Sequence, residues 1–235
     1  MRVFVINPNT SEAFTAQIHQ ELEAIKRPET ELTVVNPQHG PVSIESVRDE
    51  TLAGPHLLEL VQRANDEGYD VILLACFADP GLDAAKEVSR IPVIGIEEAS
   101  LHLAAMLGHK FSITTGFRTR VPVREWHARL RGVDAAYAST LVMNMSVLDM
   151  HDKPDEAKAR ILELGRRAVE EEGTEVIVLG CAGLAGYAAD IERELGVVVI
   201  DPTAVAFKIA EAIAELGLRH SKVGRFAFPP DKEIK

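Results

Sequence analysis

Two cysteines in 235 residues cannot make a disulfide scaffold. Together with the absence of a small-residue cleavage site after the short apolar start MRVFVI, they lead us to expect a reduced, cytoplasmic protein. Positive charge is in deficit: 25 Lys and Arg stand against 36 Asp and Glu, a formal charge of -11. That balance argues against nucleic acid or an anionic membrane as partner. No apolar run approaches the ~20 residues of a spanning helix. The eight histidines show neither H-x-x-x-H nor C-x-x-C companions, so a metal site is not expected. Low-complexity segments are also missing.

What the chain does have is a repeat. Asp70 to Glu87 reads DVILLACFADPGLDAAKE, and Glu175 to Glu192 reads EVIVLGCAGLAGYAADIE. Laid over each other without a gap, Val71 falls on Val176, Ile72 on Ile177 and Leu74 on Leu179. Cys76 falls on Cys181, Gly81 on Gly186 and Glu87 on Glu192. The chain's two cysteines thus occupy equivalent places, each where an apolar run gives way to a turn. A weaker match pairs Arg2-Val-Phe-Val-Ile with Lys110-Phe-Ser-Ile-Thr.

Between these marks, short Val/Ile/Leu-rich runs alternate with helical patterns. Strands are expected near 2–6, 32–36, 71–75, 92–96, 111–115, 141–145, 176–180 and 197–200. Helices are expected near 12–26, 46–67, from the Cys76 turn to about 88, and near 98–107, 121–130, 154–172, 185–195 and 203–216. Gly54-Pro55 should interrupt the second of these. Continuous apolar strands without polar alternation belong to parallel sheets covered on both faces. The expected fold is therefore α/β, with two similar lobes of about 100 residues related by a pseudo-twofold axis. Lobe 1 would span 1–98, with 205–235 packing back on it, and lobe 2 would span 99–204.

Ligands of open α/β sheets sit beyond the carboxyl ends of the strands. Both cysteines lie at such ends, so a pseudo-twofold would face them across a cleft. A lone cysteine is usually a small buried hydrophobe, but a duplicated pair with none elsewhere is a poorer fit to that role. A dinucleotide site fits less well. Gly180, Gly183 and Gly186 lack the G-x-G-x-x-G spacing, and the partner segment has no such glycines. A thiol on a turn entering a helix is expected to have its pKa lowered from ~8.5. Amides of Phe77, Ala78, Ala182 and Gly183 would hold a developing anion. One thiolate and one thiol on opposite faces of a carbon form a base and an acid, which is an arrangement for racemisation without a cofactor.

Several motifs carry a family resemblance. INPNTS at 6–11, GPVSIES at 40–46, CFADPGL from Cys76, GIEEA from Gly95, LGCAG at 179–183 and VIDP at 199–202 are together similar to the hydantoin racemase branch of the aspartate/glutamate racemase superfamily. Allantoin racemases are similar too. The resemblance covers essentially the whole chain. It implies an isomerase, a racemase inverting C5 of a 5-substituted hydantoin or of allantoin, with no cofactor and as a homo-oligomer. Cys76 and Cys181 would be the two bases. Asn9, Thr115 and the turn amides would hold the polar atoms of the ring, and Ile44 and Phe117 would border the C5 substituent. Arylmalonate decarboxylases and maleate isomerases share the resemblance, and a non-catalytic two-lobed binder of small molecules is the alternative of a different class.

Overall fold

The computed structural model describes residues 1–184, 186–230 and 232. Among them lie eight strands: β1 (Arg2–Ile6), β2 (Glu31–Val35), β3 (Val71–Leu74), β4 (Val93–Gly95), β5 (Phe111–Thr115), β6 (Tyr137–Val142), β7 (Val176–Val178) and β8 (Val198–Ile200). They form two four-stranded sheets, ordered β2-β1-β3-β4 and β6-β5-β7-β8. Every strand pair is parallel. The two orders are the same once β5 is equated with β1, so the repeat seen in the cysteine segments extends to the whole topology. In each sheet the cysteine follows the third strand, which is a central one.

The helices are α1 (Glu12–Ile25), α2 (Val47–Asp66), α3 (Leu82–Val88), α4 (Ile96–Leu107), α5 (Val121–Leu130), α6 (Val147–Asp152), α7 (Pro154–Glu172), α8 (Ala188–Leu195) and α9 (Pro202–Glu215). Side-chain alternation along the strands sorts the core into three. Val3, Val5, Val71 and Leu73 of the first sheet share a central cluster with Phe111, Ile113, Val176 and Val178 of the second. Ala99 and Leu101 of α4 and Phe207 of α9 complete it. The opposite strand faces, Phe4, Ile72 and Leu74 in one sheet and Ile177 and Val199 in the other, anchor two outer clusters. The expected boundary at 98/99 falls inside α4, which packs on β4 and on β7 and β8. Helix α9 returns to the first sheet and lies on α1, α4, β3 and β4.

Four local features differ from the sequence reading. Helix α2 continues through Pro55. Pro55 and Thr51 are both exposed, so the Thr51 carbonyl that loses its intrahelical bond can turn to water. The sixth strand is Tyr137–Val142, upstream of the apolar run at 141–145. It is an edge strand and only half-buried, which is why its sequence lacks the apolar signature. Helix α6 was not foreseen, although Ser146 and Asp149 close it with a reciprocal capping box. The segment expected to start a helix at Ala185 begins it at Ala188; Ala185 itself lies outside the described residues. Among the described residues no helix is long and apolar enough to cross a membrane.

Candidate functional site

The carboxyl ends of β3 and β7 meet at one cavity of about 560 Å³, counted with its open mouth. Cys76 and Cys181 both line it, as do Asn9, Ile44, Phe77, Ala78, Ala182 and Gly183. Thr115 and Phe117 lie in an adjoining chamber of about 340 Å³. Ile44, Arg124, Val147, Gly180 and Cys181 line both. All ten residues singled out in the sequence therefore border this pair of chambers. Sequence reasoning missed Asn7, Phe14, Gln17, Arg124 and Val147, which line the cavity with them.

Local chemistry explains how each side chain is held. Ser11 caps α1, its hydroxyl accepting from the Phe14 N–H, and the turn before it is knitted by two asparagines. Asn7 Nδ2 donates to Asn9 Oδ1 at 3.0 Å and to Thr15 Oγ1 at 3.0 Å. The Ser11 N–H also donates to Asn9 Oδ1, at 2.9 Å. Two donors on one atom identify it as the oxygen, so the amide NH₂ of Asn9 is the end left for a ligand acceptor. In the second half, Thr114 Oγ1 accepts the Gly180 N–H at 2.8 Å and fixes the residue before Cys181. A Cβ on Gly180 would lie 1.7 Å from the Thr114 carbonyl oxygen, so only glycine allows β5 and the Cys181 turn to approach this closely. At Gly183 a Cβ would sit 3.6 Å from Cys181 Sγ. Its absence leaves the thiol facing open cavity.

The expected acidity of the thiols is overturned. After Cys76 the turn runs five residues before α3 begins at Leu82. After Cys181 only the 3₁₀ turn Ala182–Leu184 follows, and α8 begins at Ala188. Neither thiol caps an α-helix, so the dipole argument does not apply. Burial is the largest influence and pushes Cys76 up to about 12, the Ala78 N–H opposing and the charges of Asp79, Cys181 and Glu50 adding. Burial likewise pushes Cys181 up to about 11, with the Gly183 N–H and Arg124 opposing and Glu45 adding. Both cysteines are half-buried and line the cavity. Burial thus favours the protonated form of both thiols.

Behind the Cys76 turn lies a buried ionic cluster. Glu97, at the start of α4, accepts from Arg124 Nη1 at 2.5 Å and meets His127 Nδ1 at 2.5 Å. Burial alone would raise Glu97, but Arg124 and His127 outweigh it and hold its pKa low. Asp79, in the left-handed region at φ 44°, accepts the amides of Glu97 and Glu98 at 3.2 and 2.8 Å. Burial and the neighbouring Glu97 charge push Asp79 well up, against those two amides. Glu97 lies just before the helix expected at 98–107, and His127 lies within the one expected at 121–130. Their meeting with Arg124 is a long-range fact that no local pattern announces. Among the described residues, no group of three or more His, Cys, Asp or Glu side chains is placed to hold a metal ion.

Comparison with known proteins agrees with this geometry. A family model described as Asp/Glu/Hydantoin racemase matches residues 3–210. A hydantoin racemase of Pseudomonas sp. (strain NS671) is 40% identical over 99% of this chain and 94% of its own length. A hydantoin racemase of Paenarthrobacter aurescens is 39% identical over 99% of both chains. Among solved structures, allantoin racemase from Klebsiella pneumoniae superposes with a TM-score of 0.95 at 39% identity, covering 100% of this chain and 96% of that one. The chain belongs to the Asp/Glu/hydantoin racemase family and is an enzyme of the isomerase class.

Proposed function

We propose that this racemase inverts C5 of a 5-substituted hydantoin, or of allantoin, by moving protons between the substrate and two opposed thiols, Cys76 and Cys181. The observation that carries the proposal is the pair itself: two cysteines from equivalent strand–turn segments line one cavity. One thiol, ionised, takes the C5 proton from its face. The other, still protonated, delivers a proton to the opposite face, and the carbon is inverted. A negative charge on Cys181 raises Cys76 further, so the pair favours one thiolate and one thiol over two thiolates. Charge developing on the ring's carbonyl oxygens falls to the turn amides of Phe77, Ala78, Ala182 and Gly183, with the Asn9 amide and the Thr115 hydroxyl as further donors. Ile44 and Phe117 border the C5 substituent. The names of the relatives support the ring chemistry, since hydantoin and allantoin share a five-membered cyclic ureide.

The test follows optical rotation and C5 deuterium together. A single enantiomer of a 5-substituted hydantoin, and separately of allantoin, should lose rotation in the presence of the enzyme and gain deuterium from D₂O. Cys76→Ser and Cys181→Ser should each abolish net racemisation, because a serine hydroxyl is far too weak an acid to supply the base. Each variant should keep slow C5 exchange on one enantiomer, and the enantiomer should differ between the two. Exchange of the same hand by both variants, or racemisation by either at the wild-type rate, would sink the two-thiol mechanism.

A further inference from the structure

Arg124 stands between the two cysteine turns and belongs to neither. It is carried by α5 and is 4% exposed. Its Nη1 donates to the carbonyl oxygen of Phe77, the residue after Cys76, at 2.7 Å. The guanidinium lies over the Phe77 ring, 4.9 Å from its centre. The same side chain lines both chambers alongside Cys181. Burying a guanidinium costs several kcal/mol unless it is paired, and the chain supplies Glu97, backed by His127, to pair it. Packing alone would be served by an uncharged side chain of similar length.

We propose that Arg124 is a positioning residue that makes the two thiols unequal: it ties down the Cys76 turn through Phe77, while its guanidinium lines both chambers beside Cys181, where a positive charge favours an anion. This rests on the two-thiol reading given above. The charges around the two thiols differ. Arg124 and Glu45 line the same chamber as Cys181, Arg124 favouring a thiolate there and Glu45 opposing it. At Cys76 the charges of Asp79, Glu50 and, once it is ionised, Cys181 all disfavour the thiolate. Glu45 is occupied by the Val147 N–H, which its carboxylate accepts at 2.7 Å, and Glu50 is paired with Arg120. Arg124 in turn is held by Glu97, whose own charge is maintained by Arg124 and His127 against burial. Asp79 weighs less on Cys76 than its position suggests, since burial and Glu97 favour its protonated form. The asymmetry at Cys181 does not depend on Asp79.

The experiment is iodoacetamide alkylation of the whole enzyme across pH, with each cysteine followed by peptide mass. Comparing one cysteine between variants cancels differences in access. In the wild type, the Cys181 profile should lie at lower pH than that of Cys76. Arg124→Gln should move the Cys181 profile up by about one pH unit, as expected for loss of a nearby opposite charge. Arg124→Lys keeps the charge and loses the fixed fork. It should retain the low Cys181 profile while kcat falls and KM changes little. Glu97→Gln tests the opposite sign and decides the matter if Arg124→Gln does not fold. With less counter-charge on Arg124, Cys181 should be alkylated at lower pH than in the wild type. A wild type in which Cys76 ionises first, or folded Arg124→Gln and Glu97→Gln enzymes with unmoved Cys181 profiles, overturns this role for Arg124. In that case loss of racemisation in both serine variants would leave the two-thiol reading standing. Full activity with both cysteines alkylated would remove that reading, and this one with it.

Discussion

Replacing Glu21 by Gln should stabilise the protein above neutral pH and change little in acid. Glu21 lies on α1, one turn beyond Gln17, which lines the cavity. Its Oε1 accepts from Gln17 Nε2 at 2.8 Å, and its Oε2 is buried without a partner. Burial is the main reason its pKa rises from 4.5 to about 7; the Gln17 bond opposes the rise and the Asp201 charge adds to it. The folded chain thus holds this proton to higher pH than the unfolded chain does. Stability contributed here is present in acid, falls as pH rises from 4.5 to about 7, and stays lost above that. At about 1.4 kcal/mol per decade the full interval is worth ~3 kcal/mol. Partial exposure screens the charge and reduces the expected effect to ~1–2 kcal/mol. Gln removes the charge and keeps the acceptor for Gln17. Urea unfolding at pH 8 should show Glu21→Gln more stable than wild type by that amount, and at pH 4.5 the two should agree within ~0.5 kcal/mol. An equal difference at both pH values, or a less stable variant at pH 8, would refute the reasoning.

Thr114→Val preserves shape and removes the acceptor of the Gly180 N–H. It should cost about 1–3 kcal/mol in urea unfolding and lower kcat by loosening the residue that precedes Cys181, with unchanged kinetics arguing against that role for Thr114. Because burial pushes Cys181 to about 11 and Cys76 to about 12, kcat/KM for racemisation should climb from pH 7 toward alkaline pH as the first thiolate forms. A flat profile between pH 7 and 9 would show that the working base is already ionised at neutrality.

Much of the fold was legible because duplication makes sequence and topology check each other. The ungapped match of the Cys76 and Cys181 segments predicts equivalent strands, and β3 and β7 do occupy equivalent places in sheets of the same order. Asn9, Ile44 and the turn residues were found through motifs that sit in loops, where side chains are free to face a ligand. Arg124, Glu97 and His127 were not found. Each looks ordinary on its own helix, and their meaning arises from contacts across 27 to 47 residues of chain. The thiol acidity failed for a related reason. A strand–turn–helix pattern is local and suggests a helix dipole, whereas desolvation depends on what the other half of the chain brings over the thiol. The capping box at Ser146 and Asp149 was in plain view, but six residues is too short a helix for periodicity to reveal.

The return of α9 to the first sheet bears on whether the two halves can be divided. A cut at the repeat boundary, 98/99, would split α4 and leave the amino-terminal half without α9. Phe207, Ala206 and Ala210 of that helix are fully buried in the central cluster that both sheets share. The amino-terminal fragment would expose the apolar inner face that β3 and β4 now present to α9. The carboxyl-terminal fragment would carry α9 with its partners α1 and β3 missing. The repeat is visible in sequence and in strand order, yet one apolar cluster joins the two halves, and each half supplies one of the two cysteines that line the cavity.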